Sequence, residues 1–103
     1  MILEDDIRNN IVRVAKELNV RKVILFGSRA REDCHSRSDI DLAVEGFQSA
    51  EMYFRFREAM YQLPTLLMFD IIDLNSDLVD KNLRDAIEKD GVVLYNSCQH
   101  INL

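Results

Sequence analysis

Nowhere does this sequence run to the roughly 20 consecutive apolar residues that cross a bilayer, so no membrane span is expected. Proline occurs once and glycine three times, and neither gathers with serine into a linker, a repeat or a low-complexity tract. The 103 residues are therefore expected to form a single domain, 1–103, with one core and no room for a separate substrate domain. Whatever the chain acts on is expected to involve a second protein. The two cysteines, Cys34 and Cys98, form no Cys-x-x-Cys pair, and His35 and His100 add no zinc-ligand spacing, which excludes a disulfide framework and the common zinc motifs. Free thiols, together with a start that has neither a basic nor an uninterrupted apolar leader segment, lead to the expectation of a cytoplasmic protein. Surplus positive charge is also missing. A formal net charge of −5 disfavours a nucleic-acid partner, because phosphate-backbone binding relies on a basic surface. A local basic group, Arg21, Lys22, Arg29 and Arg31 with Arg37 nearby, suits a small polyanion better.

Helices and short strands alternate in the sequence. Ile7, Ile11, Val14, Ala15 and Leu18 recur at helical spacing, so residues 3–18 read as an amphipathic helix stopped by Asn19. Val20 to Phe26 reads as a buried strand bounded by Gly27, and Ile40 to Val44 as a second closed by Glu45-Gly46. A polar loop with one helical turn after Ser28 joins them. Ser49 is an N-cap, and Met52, Phe56, Ala59, Met60 and Leu63 form the stripe of a helix over 50–63 that Pro64 ends. Residues 66–74 are strand-like, 77–89 helical up to Gly91, and 92–95 a last strand. The order α-β-β-α-β-α-β implies a small α/β (α+β) fold, a sheet with helices on one or both faces.

One segment carries the chemistry. Gly27-Ser28 is followed ten residues later by Asp39-Ile40-Asp41, and both ends of this segment sit at strand ends. The backbone of a glycine turn can approach phosphate oxygens closely, the Ser28 hydroxyl can donate to one, and a helical turn starting there adds amides. Asp39 and Asp41, two apart on a strand, project from one face about 6.5–7 Å apart. Two carboxylates so placed repel each other unless a cation lies between them, and hard oxygen ligands in a pair suit Mg²⁺ that also binds nucleotide phosphates. A third carboxylate is sought in the apolar stretch Met68-Phe69-Asp70-Ile71-Ile72-Asp73, where an ionisable group needs a reason to be present. Asp70 and Asp73 point to opposite faces, so only one can join the pair; Asp70 is preferred, since Asp73 lies nearer the strand end. Three acids can hold two metal ions about 3.5–4 Å apart, the arrangement that clamps attacking and leaving oxygens at phosphorus.

Leu25-Phe26-Gly27-Ser28-Arg29-Ala30-Arg31 with Ser38-Asp39-Ile40-Asp41-Leu42-Ala43-Val44 resembles the minimal nucleotidyltransferase family of the DNA polymerase β-like superfamily, and Phe69 to Asp73 and Gly91 to Tyr95 extend the likeness. The resemblance implies the nucleotidyltransferase fold, a small mixed β-sheet flanked by helices. It also implies two Mg²⁺ ions and transfer of a nucleoside monophosphate, AMP from ATP, with release of pyrophosphate. On that pattern Gly27, Ser28, Arg29 and Ser38 bind the nucleotide, and Asp39, Asp41 and Asp70 are the catalytic metal ligands. The family often pairs with a helical HEPN protein, so a hetero-oligomer in which this chain is the antitoxin is implied. Tyr53, Phe54 and Tyr61, off the main stripe of their helix, and the segment 96–103 are candidate partner surfaces. At one position the string departs from the family: Glu32 stands where relatives usually have glycine. Two alternatives follow, a non-catalytic binding module of the same fold and transfer to a small molecule.

Overall fold

In the computed structural model, which describes residues 1–35 and 37–100, the apolar stripe of residues 7–15 winds into helix α1 (Asp5–Glu17), which buries Ile7, Ile11, Val14 and Ala15. Asp5 and Asp6 in its first turn and Lys16 in its last complement the helix dipole. Asn19 turns the chain with φ 55°. Val20 is buried, yet its N–H bonds back to the Ala15 carbonyl at 3.2 Å, so strand β1 starts only at Lys22 (Lys22–Phe26). One helical turn, α2 (Ser28–Arg31), follows, then strand β2 (Ile40–Glu45). The Ser49 hydroxyl accepts from the Met52 N–H at 3.3 Å and starts helix α3 (Ala50–Tyr61), which ends two residues before the expected Leu63.

Strand β3 is shorter than the expected 66–74 and covers Phe69–Asp73; ahead of it the Thr65 hydroxyl takes the Leu67 N–H in a turn. Helix α4 (Lys81–Asp90) likewise begins four residues later than expected. Turns at Ser76 and Val79 occupy that stretch, and the Asp80 carboxylate caps the helix by accepting from the Leu83 N–H at 2.8 Å. Strand β4 (Val92–Asn96) and a 3-10 turn (Ser97–His100) follow. Of the 96–103 segment expected to meet a partner, residues 101–103 lie outside the described residues.

The four strands form one sheet in the order β3-β2-β1-β4. β1 is antiparallel to both neighbours, whereas β2 and β3 are parallel, joined by the α3 crossover. Alternation along the strands separates two faces. Val23, Leu25, Ile40, Leu42, Val44, Phe69 and Ile71 join the core with Phe56 and Met60 of α3 and the stripe of α1. Phe26, Asp41 and Asp70 lie in one row on the other face, since Phe26 pairs with Asp41 and Asp41 with Asp70. Ile24, also on that face, meets the C-terminal end of α4 at Gly91. The end of β1 and the starts of β2, β3 and β4 thus converge on one edge of the sheet.

Candidate active site

Gly27 follows the last residue of β1 with φ +74°, a left-handed conformation that favours glycine. A Cβ there would lie 2.3 Å from Asp41 Oδ2, so the missing side chain is what lets the carboxylate of β2 fold over the turn. The Gly27 carbonyl accepts from Arg31 N–H at 3.1 Å and the Ser28 carbonyl from Asp33 N–H at 3.0 Å, which winds the chain into α2 directly after the glycine. Backbone turn and carboxylate are therefore in contact in the folded chain.

Asp41 and Asp70 are partners in the β2–β3 register, on strands that run about 4.8 Å apart, and both belong to the face away from the core. Asp39 lies just ahead of β2 and is exposed. Burial pushes the Asp41 carboxyl above the ordinary carboxylate range, and the negative charges of Asp70 and Asp39 push the same way, with Arg31 opposing. A half-buried acid with two further acids acting on it is an arrangement that a cation would relieve. Among the described residues, no three acid, imidazole or thiol groups converge into a ready-made metal cage. The donor set nevertheless fits Mg²⁺, which takes one or two carboxylates and fills its remaining positions with water and phosphate oxygens. Asp73 sits elsewhere. It pairs with Val44 towards the other end of the sheet and its carboxylate accepts from Asn75 N–H at 2.9 Å, closing a turn.

Arg29 and Ser38, expected among the nucleotide contacts, are engaged differently. Arg29 is only 6% exposed. Its Nε–H donates to the Ser38 carbonyl and its Nη1–H to the Ile2 carbonyl, each at 3.1 Å. The guanidinium thus reaches the site through the backbone it holds and not by facing outward. The Ser38 hydroxyl accepts from His35 N–H at 3.0 Å and shapes the loop that delivers Asp39. His35, which adds no zinc-ligand spacing in the sequence, closes this loop further by accepting the Arg37 N–H at Nδ1.

The basic group seen in the sequence does not assemble. Lys22 starts β1 at the end opposite Phe26, four residues and about 13 Å away, and Arg21 precedes it there, paired with Glu45 at 3.4 Å. Arg31 pairs with Asp33 at 3.0 Å. Glu32 does adopt the glycine-type conformation, φ 67°, as the C-cap of α2, and its carboxylate takes a hydrogen bond from the Met1 amino group, which holds it below the usual range. One acid was not anticipated: Asp90, at the end of α4, is near enough to Arg31 to raise its pKa along with Asp33 and Asp41. Its place just before Gly91 and β4, whose start shares the site's edge, is the signal that could have found it.

A family model described as Polymerase beta, Nucleotidyltransferase matches residues 9–100. No curated protein sequence matches significantly. Among solved structures, a toxin-antitoxin crystallised with AMP-PNP superposes with a TM-score of 0.66 at 23% identity, over 90% of this chain and 76% of that one. A mutant MntA-HpeT toxin-antitoxin, in which two aspartates two positions apart are replaced by glutamate, gives 0.70 at 20% identity, over 90% and 75%. A protein from Shewanella oneidensis gives 0.66 at 17%, over 94% and 76%. At such identities the likeness is one of fold.

Proposed function

Since the chain belongs to the Polymerase beta nucleotidyltransferase family, we propose that it is a Mg²⁺-dependent nucleotidyltransferase that moves AMP from ATP to a partner protein, as the antitoxin of a toxin-antitoxin pair. The observation that carries this reading is the contact between the Gly27 turn and the Asp41 carboxylate, with Asp70 in register beside it. Phosphate-binding backbone and mutually repelling acids share one sheet edge, which is what a triphosphate and its cations need. Support for the setting comes from the toxin-antitoxin structures that share the fold, one of them with AMP-PNP and one altered at a pair of closely spaced aspartates. Support for a protein acceptor comes from Phe54 and Tyr61, 59% and 54% exposed on α3.

In this reading the Gly27–Ser28 backbone receives the β- and γ-phosphates, and Asp39, Asp41 and Asp70 are the residues that would hold Mg²⁺. When bound, the ion supplies charge neutralisation for the triphosphate and Lewis-acid polarisation of the transferring group. Asp70, on the edge strand β3 across β2 from the Gly27 turn, would accept the acceptor's hydroxyl proton. The acceptor oxygen then bonds to the α-phosphorus as the bond to the bridging oxygen of pyrophosphate breaks, and pyrophosphate leaves on the Gly27–Ser28 side.

The test is to incubate the chain with ATP, Mg²⁺ and the protein encoded beside its gene and to weigh that protein by intact mass. An adenylyl increment that disappears with Asp39→Asn or Asp41→Asn is expected. Tight complex formation with no change in mass would overturn catalysis in favour of a binding module, and an adenylylated small molecule would overturn the protein acceptor.

A further inference from the structure

Among the described residues Arg29 is the one buried charged side chain. A guanidinium removed from water has to be held by well-aligned acceptors, because an unsatisfied buried charge is severely destabilising. The partners found for it belong to two different segments. Nε–H donates to the carbonyl of Ser38, the residue before Asp39, and Nη1–H to the carbonyl of Ile2, ahead of α1. The Ile2 segment returns the contact, its N–H donating to the Arg29 carbonyl at 2.9 Å. Arg29 itself lies in α2, two residues after Gly27. One planar fork therefore spans the turn that carries Gly27–Ser28, the loop that delivers Asp39 and the segment leading into α1.

Two other contacts join parts of this cluster: the Met1 amino group meets the Glu32 carboxylate at the end of α2, and Asp33 N–H donates to the Ser28 carbonyl at 3.0 Å. The polar loop that follows is closed, among the described residues, by short-range hydrogen bonds within 35–38. Asp39 lies between two anchors: Ile40, whose N–H donates to the Met68 carbonyl at 2.9 Å as β2 begins, and Ser38, whose carbonyl Arg29 holds. The sheet fixes the first, and Arg29 supplies the second, on the side that faces the Gly27 turn. We infer that Arg29 is a positioning residue: it sets the spacing between the phosphate-binding turn and the Asp39 carboxylate, and couples that spacing to the segment at Ile2. The placing of phosphate and metal in this inference rests on the function proposed above.

The experiment uses the full chain and the variant Arg29→Lys, which keeps the charge but replaces the fork with a single ammonium that cannot serve both carbonyls in the same geometry. ATP affinity is measured without metal, and Mn²⁺ is then titrated into the ATP complex as the probe for Mg²⁺. Loss of an orienting partner behind a metal ligand costs about 10- to 100-fold in metal affinity, so Mn²⁺ affinity is expected to fall at least about tenfold while metal-free ATP affinity stays within about twofold. A comparable fall in metal-free ATP affinity would overturn the inference, because it would mean that Arg29 contacts the nucleotide. Unchanged affinities for both, with only a lower melting temperature, would overturn it as well, leaving a purely structural role.

Amide hydrogen exchange supplies a readout independent of activity. The Ile2 and Ser38 amides, each hydrogen-bonded in this cluster, are expected to exchange at least about tenfold faster in Arg29→Lys, with those of Leu25 and Leu42 unchanged. Uniform or absent change would overturn the inference. If the unmodified chain binds neither ATP nor Mn²⁺, the proposed function falls and the exchange pattern alone decides the positioning role. Should Arg29→Lys fail to fold, the unmodified chain still tests the coupling: ATP with Mn²⁺ is expected to slow exchange at Ile2, and no change there would refute it.

Discussion

The two ends of the sheet are built from the same parts and put them to opposite use. At one end Gly27 turns the chain with φ +74° against Asp41; at the other Gly46 turns it with φ +92° against Arg21. Charged residues flank both. Around Gly46 they neutralise one another, with Arg21 paired to Glu45 and the Gly46 N–H donating to the Asn75 side chain at 2.8 Å. Beside Gly27, burial raises the pKa of Asp41, and the charges of Asp70 and Asp39 push the same way. The fold settles its charges at one end and leaves them opposed at the other, which is why the proposed function places the ligand at that second end. The difference teaches that neither a glycine turn nor an acidic residue marks a site by itself; the mark is a set of charges that the protein leaves without full compensation.

Breaking the uncompensated end has the largest expected effect. Asp41→Asn and Asp39→Asn are expected to lower adenylyl transfer about 1,000-fold, equivalent to about 4 kcal/mol of transition-state stabilisation, with the fold intact by circular dichroism. Retained transfer in both variants would dissolve the contrast between the two ends.

The glycines give a crossed comparison. An added Cβ at Gly46 would lie 2.6 Å from Arg21 Cβ and 2.9 Å from its backbone nitrogen, so backbone has to move. Gly46→Ala is expected to cost about 3 kcal/mol in denaturant unfolding, with transfer per folded molecule unchanged. At Gly27 the clash is with the end of a flexible side chain, Asp41 Oδ2. Gly27→Ala is therefore expected to cost less stability, about 1–2 kcal/mol, and to lose most of the transfer activity by displacing that carboxylate. Equal stability losses with equal activities would show that the two turns are interchangeable.

The same opposition predicts a stabilised but inactive protein. Because the folded chain raises the Asp41 pKa above its unfolded value, the folded state binds more protons than the unfolded state between the two pKa values, and stability falls as pH rises through that window. The penalty is absent in acid and complete above the folded pKa. Asp41→Asn removes it, so the variant is expected to melt higher than the unmodified chain at pH 7, with the gain shrinking as pH drops towards the ordinary aspartate range near 4. A melting temperature unchanged or lowered at pH 7 would argue that burial and the neighbouring acids do not penalise the Asp41 charge at this end.

How much of this was readable beforehand follows from the range of each interaction. The stripe at Ile7, Ile11, Val14 and Ala15 is local periodicity, and α1 formed where it predicts. The α4 boundary was missed because the 73–80 stretch is turn-forming through hydrogen bonds among Asp73, Ser76 and Val79, with Asp80 as the cap, and helical periodicity does not register such competition. Gly27, Ser28, Asp39 and Asp41 declare themselves by spacing on one strand-loop-strand unit. The choice of Asp70 over Asp73 rested on face parity and closeness to the strand end; the register adds that Asp70 lies beside Asp41 while Asp73 closes a turn further along. The inward turn of Arg29 was not legible, since its partners at Ile2 and Ser38 lie 27 and 9 residues away and are backbone atoms that carry no sequence signal. The apparent basic group failed for a related reason: proximity along the chain placed Arg21 beside the motif, and an extended strand carried it to the other end of the sheet.

That displaced arginine yields the smallest expected effect and the sharpest check on the contrast. Arg21 and Glu45 approach to 3.4 Å with side chains 66% and 37% exposed, so water and salt screen the pair. Exposed pairs of this kind contribute about 0–1 kcal/mol, and Arg21→Ala is expected to lower stability by less than about 1 kcal/mol, with most of that loss gone at high salt. Its Cβ, which packs against Gly46, is retained in alanine, so the turn keeps its shape. Transfer activity and ATP affinity are expected to stay as they were, since the residue stands at the settled end of β1. A marked fall in ATP affinity in Arg21→Ala would mean that the positive charge acts on the triphosphate from across the sheet, and the division between a compensated end and a functional one would have to be redrawn.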